Sequence, residues 1–446
     1  MTSRPRPKWA ILRSPVFWHF ATLVVGFVVI MVLQRNQWFY YDEWNFLDPE
    51  RPGPFASHNG HFSLAPRLVY DALLSVVGLS SYWPYALCVT ILHLLAAHLA
   101  WRIAIRAGAG AWSSTLVVLV FVFLGSGGQN IFWAFQIGFV GALAFGLLAF
   151  LIALRPVLAP GWLAAATAIG AFSLTWSGTA IPIFVATALL VLLRHRWRKA
   201  LIFLIPGAVL YLTWYIVIGH VGGVPTGSFG ATLAQLPGFL WALFATGFGG
   251  VFTVSIVGAF VVVLLTIWVI TALTRKDRPS WAVPLASLGV ALVLFAAMTG
   301  WSRAGLAGPE EGAAGRYVYA VALLLVPAVA CAASVMLARW PVLRPAGVAL
   351  AITLTIAQGI VLVAEAGRQA GAEQQTRALV CASLDLALDA PTTYSLEAMP
   401  DPLVAPQLTL RQVLALHTDG HLATCVPGSY PPAVLEIAAR NLVTAP

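Results

Sequence analysis

Apolar residues in this chain fall in long unbroken blocks, not in the alternation of a half-buried strand or the narrow stripe of a surface helix. Blocks of roughly 17–25 residues, enough to cross a bilayer as helix, lie at 17–34, 82–103, 132–153, 160–176, 178–194, 200–219, 251–273, 281–300, 317–338 and 345–364, with a shorter one at 111–125. The pattern predicts an all-α polytopic membrane protein of about eleven transmembrane helices. Only Trp176-Ser177-Gly178-Thr179 separates 160–176 from 178–194, so that pair reads either as two spans or as one broken segment.

Composition agrees and adds an orientation. Hydrophobic residues make up 60% of the 446 and charged residues 9%, with mean hydropathy +0.86; a soluble chain carries about a quarter charged residues. A cytoplasmic N-terminus gathers Arg4, Arg6, Lys8, Arg13, Arg102, Arg106, Arg155, Arg194, Arg196, Arg198, Lys199, Arg275, Lys276, Arg278, Arg339 and Arg344 on the inner side, together with only one acid, Asp277. Lys and Arg concentrate in cytoplasmic loops, so the N-terminus is expected inside and the C-terminus outside. Merging 160–194 into one span would move the Arg194–Lys199 cluster outside and break the agreement. Arg4–Arg13 ahead of an apolar stretch imitates a secretory signal, but no small-residue cleavage site follows, and the first block is expected to be retained. The basic residues are spread over short inner loops, so the net charge of +9 follows from topology and implies no nucleic-acid partner.

The outer segments 35–81, 220–250, 301–316 and 365–446 are long and the inner ones short, which points to recognition or reaction at the outer face. The expected division is a transmembrane bundle, 1–364, and a small extracytoplasmic region, 365–446. The first outer loop carries Trp38-Phe39-Tyr40-Tyr41-Asp42-Glu43-Trp44-Asn45-Phe46. Its adjacent carboxylates read as surface chemistry or as a solvated pair in an aromatic belt. Residues 65–77 repeat apolar positions at helical spacing, with Arg67 and Asp71 on another face, and predict a helix lying in the interface; the Gly-rich stretch 236–250 admits the same reading. His58-Asn59-Gly60-His61 reads as part of a divalent-cation site (Mg or Mn) with Asp42 and Glu43, as donors to a substrate, or as solvated histidines.

Gln129, Asn130 and Gln136, interleaved with Trp133 and Phe135, form a candidate sugar-binding lip, or else helix caps and belt residues. Ser173, Thr175, Trp176, Ser177 and Thr179 make a second polar break on the same side. Arg303 and Arg316 are costly so near hydrocarbon. Their guanidinium forks suit phosphate, and Glu310 or Glu311 are the competing partners. His93 and His98, inside one span, read as packing residues, as do Cys88 and Cys331. Cys381 and Cys425 both fall outside, where disulfides persist, and are expected to pair.

With these residues assembled, the chain resembles the GT-C superfamily of polytopic glycosyltransferases. Protein O-mannosyltransferases and the transferases that add aminoarabinose to lipid A carry an Asp-Glu pair directly after the first helix, as Asp42-Glu43 stands here. Arg316-Tyr317 is similar to an Arg-Tyr at the outer end of a late helix in several members. The resemblance implies a GT-C-like bundle in a bacterial cytoplasmic membrane, a polyprenyl-phosphate-linked sugar donor and a glycan, glycolipid or protein acceptor. It also implies Asp42 as base, Glu43 orienting the acceptor or a metal, and Arg316, Arg303 and Tyr317 at the donor phosphate. Many relatives carry a large extracytoplasmic domain, which 365–446 does not match in size.

The chemistry agrees. A lipid phosphate leaves without protonation, so transfer needs a base for the acceptor hydroxyl and positive charge at the phosphate. It needs no cofactor and inverts the anomeric centre. A flippase for a lipid-linked precursor, or a non-catalytic subunit of an envelope assembly complex, is the alternative.

Overall fold

The computed structural model describes residues 12–221, 227–422, 424–426 and 428–443. Arg4, Arg6 and Lys8 lie outside the described residues. The described chain is helical, and among its residues the only β pairing is an isolated bridge between His58 and His61. In order the helices are α1 (Pro15–Leu33), α2 (Glu43–Leu47), α3 (Leu64–Val77), α4 (Trp83–Ala107), α5 (Ala111–Val122), α6 (Gln129–Phe132), α7 (Ile137–Ala153), α8 (Pro160–Leu174), α9 (Ala180–Arg194) and α10 (Trp197–Trp214). They are followed by α11 (Phe229–Trp241), α12 (Ser255–Thr274), α13 (Ala282–Ala307), α14 (Gly315–Arg339), α15 (Arg344–Asp389), α16 (Leu410–Thr418) and α17 (Pro432–Val443).

Among the described residues nine helical segments are long and apolar enough to cross a membrane, and α5, α8 and α9 are shorter apolar helices. One of the nine, 229–252, does not cross. Thr232 lies against Gly305, Leu236 against Gly300, Phe239 against Gly312 and Gly247 against Ala313, while Gly249 abuts Ser255. These partners all sit at one end of the bundle, so the segment begins and finishes there and lies across the ends of α13 and α14. With that segment set aside, eight long segments and the three shorter helices α5, α8 and α9 make eleven apolar helices among the described residues, the number of the hydropathy blocks. The segment bends because Pro237 interrupts it and a π-helical turn follows at 242–247.

Side-chain bonds identify the two ends. At one, Thr115 donates to the Pro15 carbonyl, Ser280 to Ala107, Arg194 to Leu154 and Lys199 to Leu158. Arg194 and Lys199 therefore share an end with the start of α8, and the break at 175–179 lies at the other, so 160–194 is two short crossing helices. Basic residues grouped on one side by sequence thus share one end of the bundle. α4, α7 and α14 are the most enclosed spans; α10, α12 and α15 keep most of their apolar surface exposed, facing lipid. His93 is satisfied in the core by Tyr319 and the Val122 carbonyl, and His98 by His19. Both are packing residues, as expected.

α15 runs unbroken for 46 residues, about 69 Å at helical rise, well beyond a hydrocarbon core of about 30 Å. Its far half carries the C-terminal region, closed by a disulfide between Cys381 and Cys425. That region folds back on the first loop. Val404 accepts from Tyr41, His421 from Leu79, Glu373 from the Trp38 amide, and Asn36 from Gln374.

Candidate functional site

The first loop is shaped by what it buries. Tyr41 has φ 47°, a left-handed conformation that non-glycine residues seldom adopt, and its amide is tied to the Val404 carbonyl. The chain then turns into α2 with Asp42 at its head. Glu43 points the other way and is fully buried. It accepts the Tyr40 amide at 2.7 Å, the Tyr70 hydroxyl at 2.5 Å and the Tyr82 hydroxyl at 3.2 Å. Burial pushes its carboxyl up to about 8, against the pull of these donors. Glu43 therefore holds the loop and does not face substrate or metal, because its oxygens are spent on α3, α4 and its own turn.

Asp42 faces a cavity of about 770 Å³ at this end of the bundle. Burial raises its carboxyl to about 6, while the charges of Arg316 and then Arg303 pull it down. Both arginines line the same cavity, with Tyr317, His58, Asn59, His61, Trp133 and Gln136. Arg316 heads α14, pairs with Glu311 and lies over the Tyr317 ring at 4.8 Å. Among the described residues Arg303 has no ion-pair partner. An unpaired guanidinium beside a carboxyl that burial pushes toward neutrality, in a partly buried cavity, favours an anionic ligand. Much of the rest is aromatic: Tyr41, Phe46, Phe135, Trp176, Tyr211, Tyr215 and Phe295. Trp133 stacks on Phe135 at 5.2 Å and donates to the Tyr40 carbonyl. Aromatic faces beside hydrogen-bonding groups suit a sugar, which has both apolar faces and hydroxyl edges.

The histidine segment is a two-residue hairpin. His58 and His61 exchange backbone hydrogen bonds, with Asn59 at φ 50° and Gly60 at φ 76°, the left-handed pair a type I′ turn requires. Asn-Gly was the signal for it in the sequence. Burial drives His58 down to about 3 and His61 to about 4, so both are neutral hydrogen-bonding groups at the cavity wall.

Three expectations are corrected. Of the expected cation set Asp42, Glu43, His58 and His61, Glu43 is sealed behind Asp42 and away from the cavity, and among the described residues no three His, Cys, Asp or Glu are grouped to hold a metal. Gln129 and Asn130 are not a binding lip. Gln129 accepts the Arg316 amide at 3.1 Å and so caps α14, and Asn130 is fully buried away from the cavity. α3 forms where predicted, but Arg67 is buried, donating to the Pro52 and Gly53 carbonyls, and Asp71 pairs with Arg51. The sequence reading missed Gln407, from the C-terminal region, whose Nε2 donates to Asp42 Oδ1 at 3.2 Å. A separation of 365 residues leaves no local signal for that contact.

No protein family model and no curated protein matches the sequence. Among solved structures, the chain is similar to ArnT from Cupriavidus metallidurans bound to undecaprenyl phosphate, with TM-score 0.54 and 14% identity over 96% of this chain and 89% of that one. The bundle shares the fold of that structure. A second likeness, to the Archaeoglobus fulgidus oligosaccharyltransferase tethered with an acceptor peptide, has TM-score 0.43 and 16% identity over 82% of this chain and 57% of that one. The bundle seats the cavity where the first loop, the head of α14 and the C-terminal region meet.

Proposed function

We propose that the protein is an integral-membrane glycosyltransferase that moves a sugar from a polyprenyl-phosphate donor to an acceptor hydroxyl at the outer face of a bacterial cytoplasmic membrane. What supports the reading is one arrangement: a carboxyl raised to about 6 shares an aromatic cavity with an unpaired and a paired guanidinium, in a bundle with the fold of a protein crystallised with undecaprenyl phosphate. Asp42 takes the acceptor proton as the acceptor oxygen bonds to the anomeric carbon. The bond from that carbon to the phosphate oxygen breaks, and its electron pair leaves with the lipid phosphate. Arg303 and Arg316 stabilise the departing phosphate, so the scheme calls for no resident cation. Direct displacement inverts the anomeric centre.

Asp42→Asn in purified protein, supplied with an undecaprenyl-phosphate-linked sugar and an acceptor, tests this. Transfer should fall at least about 10²-fold, the contribution of a positioned base, with the melting curve little changed because Asp42 is only half-buried. Retention of more than a tenth of the rate would remove Asp42 as base.

A further inference from the structure

Gln407 reaches the cavity from the far end of the sequence, and the structure fixes it closely. Asp401, itself buried, accepts the Leu403 and Val404 amides on Oδ1 and the Thr376 hydroxyl on Oδ2, which ties the segment to α15. The next turn closes through Ala405 onto Asp401 and Leu408 onto Ala405. Thr409 and Gln412 then cap α16 reciprocally. Pro402 and Pro406 restrict the backbone between these anchors. Two contacts leave this segment for the acidic loop: the Val404 carbonyl takes the amide of left-handed Tyr41, and Gln407 takes Asp42. The carboxamide is thus a built part of the site.

Its chemistry is unfinished. Nε2 donates to Asp42, which fixes the amide's orientation, because an amide oxygen turned toward the carboxylate would repel it. Oε1 is then buried, on a residue lining the cavity, and has no hydrogen-bond partner among the described residues. A buried acceptor without a donor costs free energy that a ligand can recover. We infer that Gln407 is a recognition and positioning residue, holding Asp42 through Nε2 while Oε1 accepts an O–H or N–H on the acceptor beside the hydroxyl that reacts. The amide then sets two distances at once, from the base to the reacting oxygen and from the neighbouring substituent to the wall. The acceptor class implied is a vicinal diol or amino alcohol, as a sugar ring presents. The substrate half of this inference rests on the transferase reading; the Gln407–Asp42 contact does not.

The experiment has two arms, on wild type, Gln407→Leu and Gln407→Glu. In the first, a hydrophobic carbodiimide, which reacts with protonated carboxyls, labels Asp42 at pH 7, and the peptide is quantified by mass spectrometry. Losing the amide donor shifts Asp42 upward by about one unit, so labelling in Gln407→Leu rises about fivefold. Unchanged labelling overturns the contact. The second arm measures transfer from an undecaprenyl-phosphate-linked pentose to octyl glycosides with an intact diol and to their monodeoxy counterparts. Wild type should favour the diol by about tenfold or more in kcat/KM, Gln407→Leu should lose the preference, and Gln407→Glu, which keeps an acceptor oxygen at the wall but turns its other oxygen against Asp42, should retain the preference at a lower overall rate. Raised labelling with an unchanged preference in Gln407→Leu overturns the recognition role. Raised labelling with no transfer by wild type to any glycoside sinks the transferase reading and the substrate half with it, and the contact stands.

Discussion

At the residue scale the site turns on one carboxyl held near the edge of neutrality. In the proposed scheme Asp42 is a base only when charged, so transfer should fall as pH drops through about 6, not through the ordinary carboxylate range near 4. Arg316 is the larger of the two charges holding that carboxyl down, so Arg316→Ala should move the acid limb to higher pH and lose more activity at pH 6 than at pH 8. A rate–pH profile checks both, with rates normalised to folded protein because Arg316 also pairs with Glu311. A limb that stays put in Arg316→Ala would show that the guanidinium does not act on Asp42. That Asp42, Arg303 and Arg316 share a cavity was legible in the sequence because charge at the edge of a hydrocarbon block has few uses; Tyr317 entered through the resemblance alone. Glu43 was misread for a physical reason: adjacent residues point to different sides of a turn, and nothing local says which carboxylate finds the three tyrosines.

Elements were legible where hydropathy alone decides them. The crossing helices follow from apolar blocks, and α3 from its spacing. The segment 229–252 is long and apolar enough to cross, yet it was legible as an outer one, since no hydropathy block covers it and 236–250 read as a helix in the interface; its packing partners on α13 and α14 were not legible. Nor could spacing show that Arg67 turns inward to the Pro52 and Gly53 carbonyls, since a helical wheel assigns faces but not neighbours. The hairpin His58–His61 offers a test at this scale. Gly60 has φ 76° with open space where a Cβ would go, on the cavity wall, so the Cβ of Gly60→Val meets no clash and its cost to stability comes from backbone strain. A β-branched residue there should cost about 1–2 kcal/mol. It should also lower transfer by displacing both histidines from the cavity wall. Full activity with an unchanged melting curve would mean the hairpin is indifferent to its turn.

At the scale of the whole molecule the site is assembled from the two ends of the chain. The Cys381–Cys425 bond closes a 44-residue separation and keeps the segment bearing Val404 and Gln407 against α15. Chain entropy assigns such a loop about 4 kcal/mol. Reduction, or paired Cys→Ser substitution, should therefore expose 390–430 to limited proteolysis before the bundle melts, and transfer should fall in step with cleavage. Protease resistance unchanged by reduction would show that packing alone retains the region. The pairing was legible from topology, as the two cysteines on the outer side; the docking was not, since it depends on backbone bonds from Tyr41 and Leu79 that any sequence could make.

The length of α15 has a mechanical consequence. It stands as a mast, stepped at Arg344 on the opposite side of the membrane and bearing Glu373 and Gln374 level with Trp38 and Asn36. Its membrane-crossing part is gripped along a narrow face only, chiefly at Gln358, which accepts the Ser126 amide and donates to the Gly250 and Val251 carbonyls, so a bilayer that mismatches the span loads the helix against that grip. A thicker or thinner bilayer shifts the mast relative to α1, and the shift arrives at Tyr41 and Asp42 through Trp38 and Val404. Transfer in vesicles of graded acyl-chain length should accordingly peak at one thickness and decline on either side, as it would for an enzyme that gauges the membrane it is embedded in.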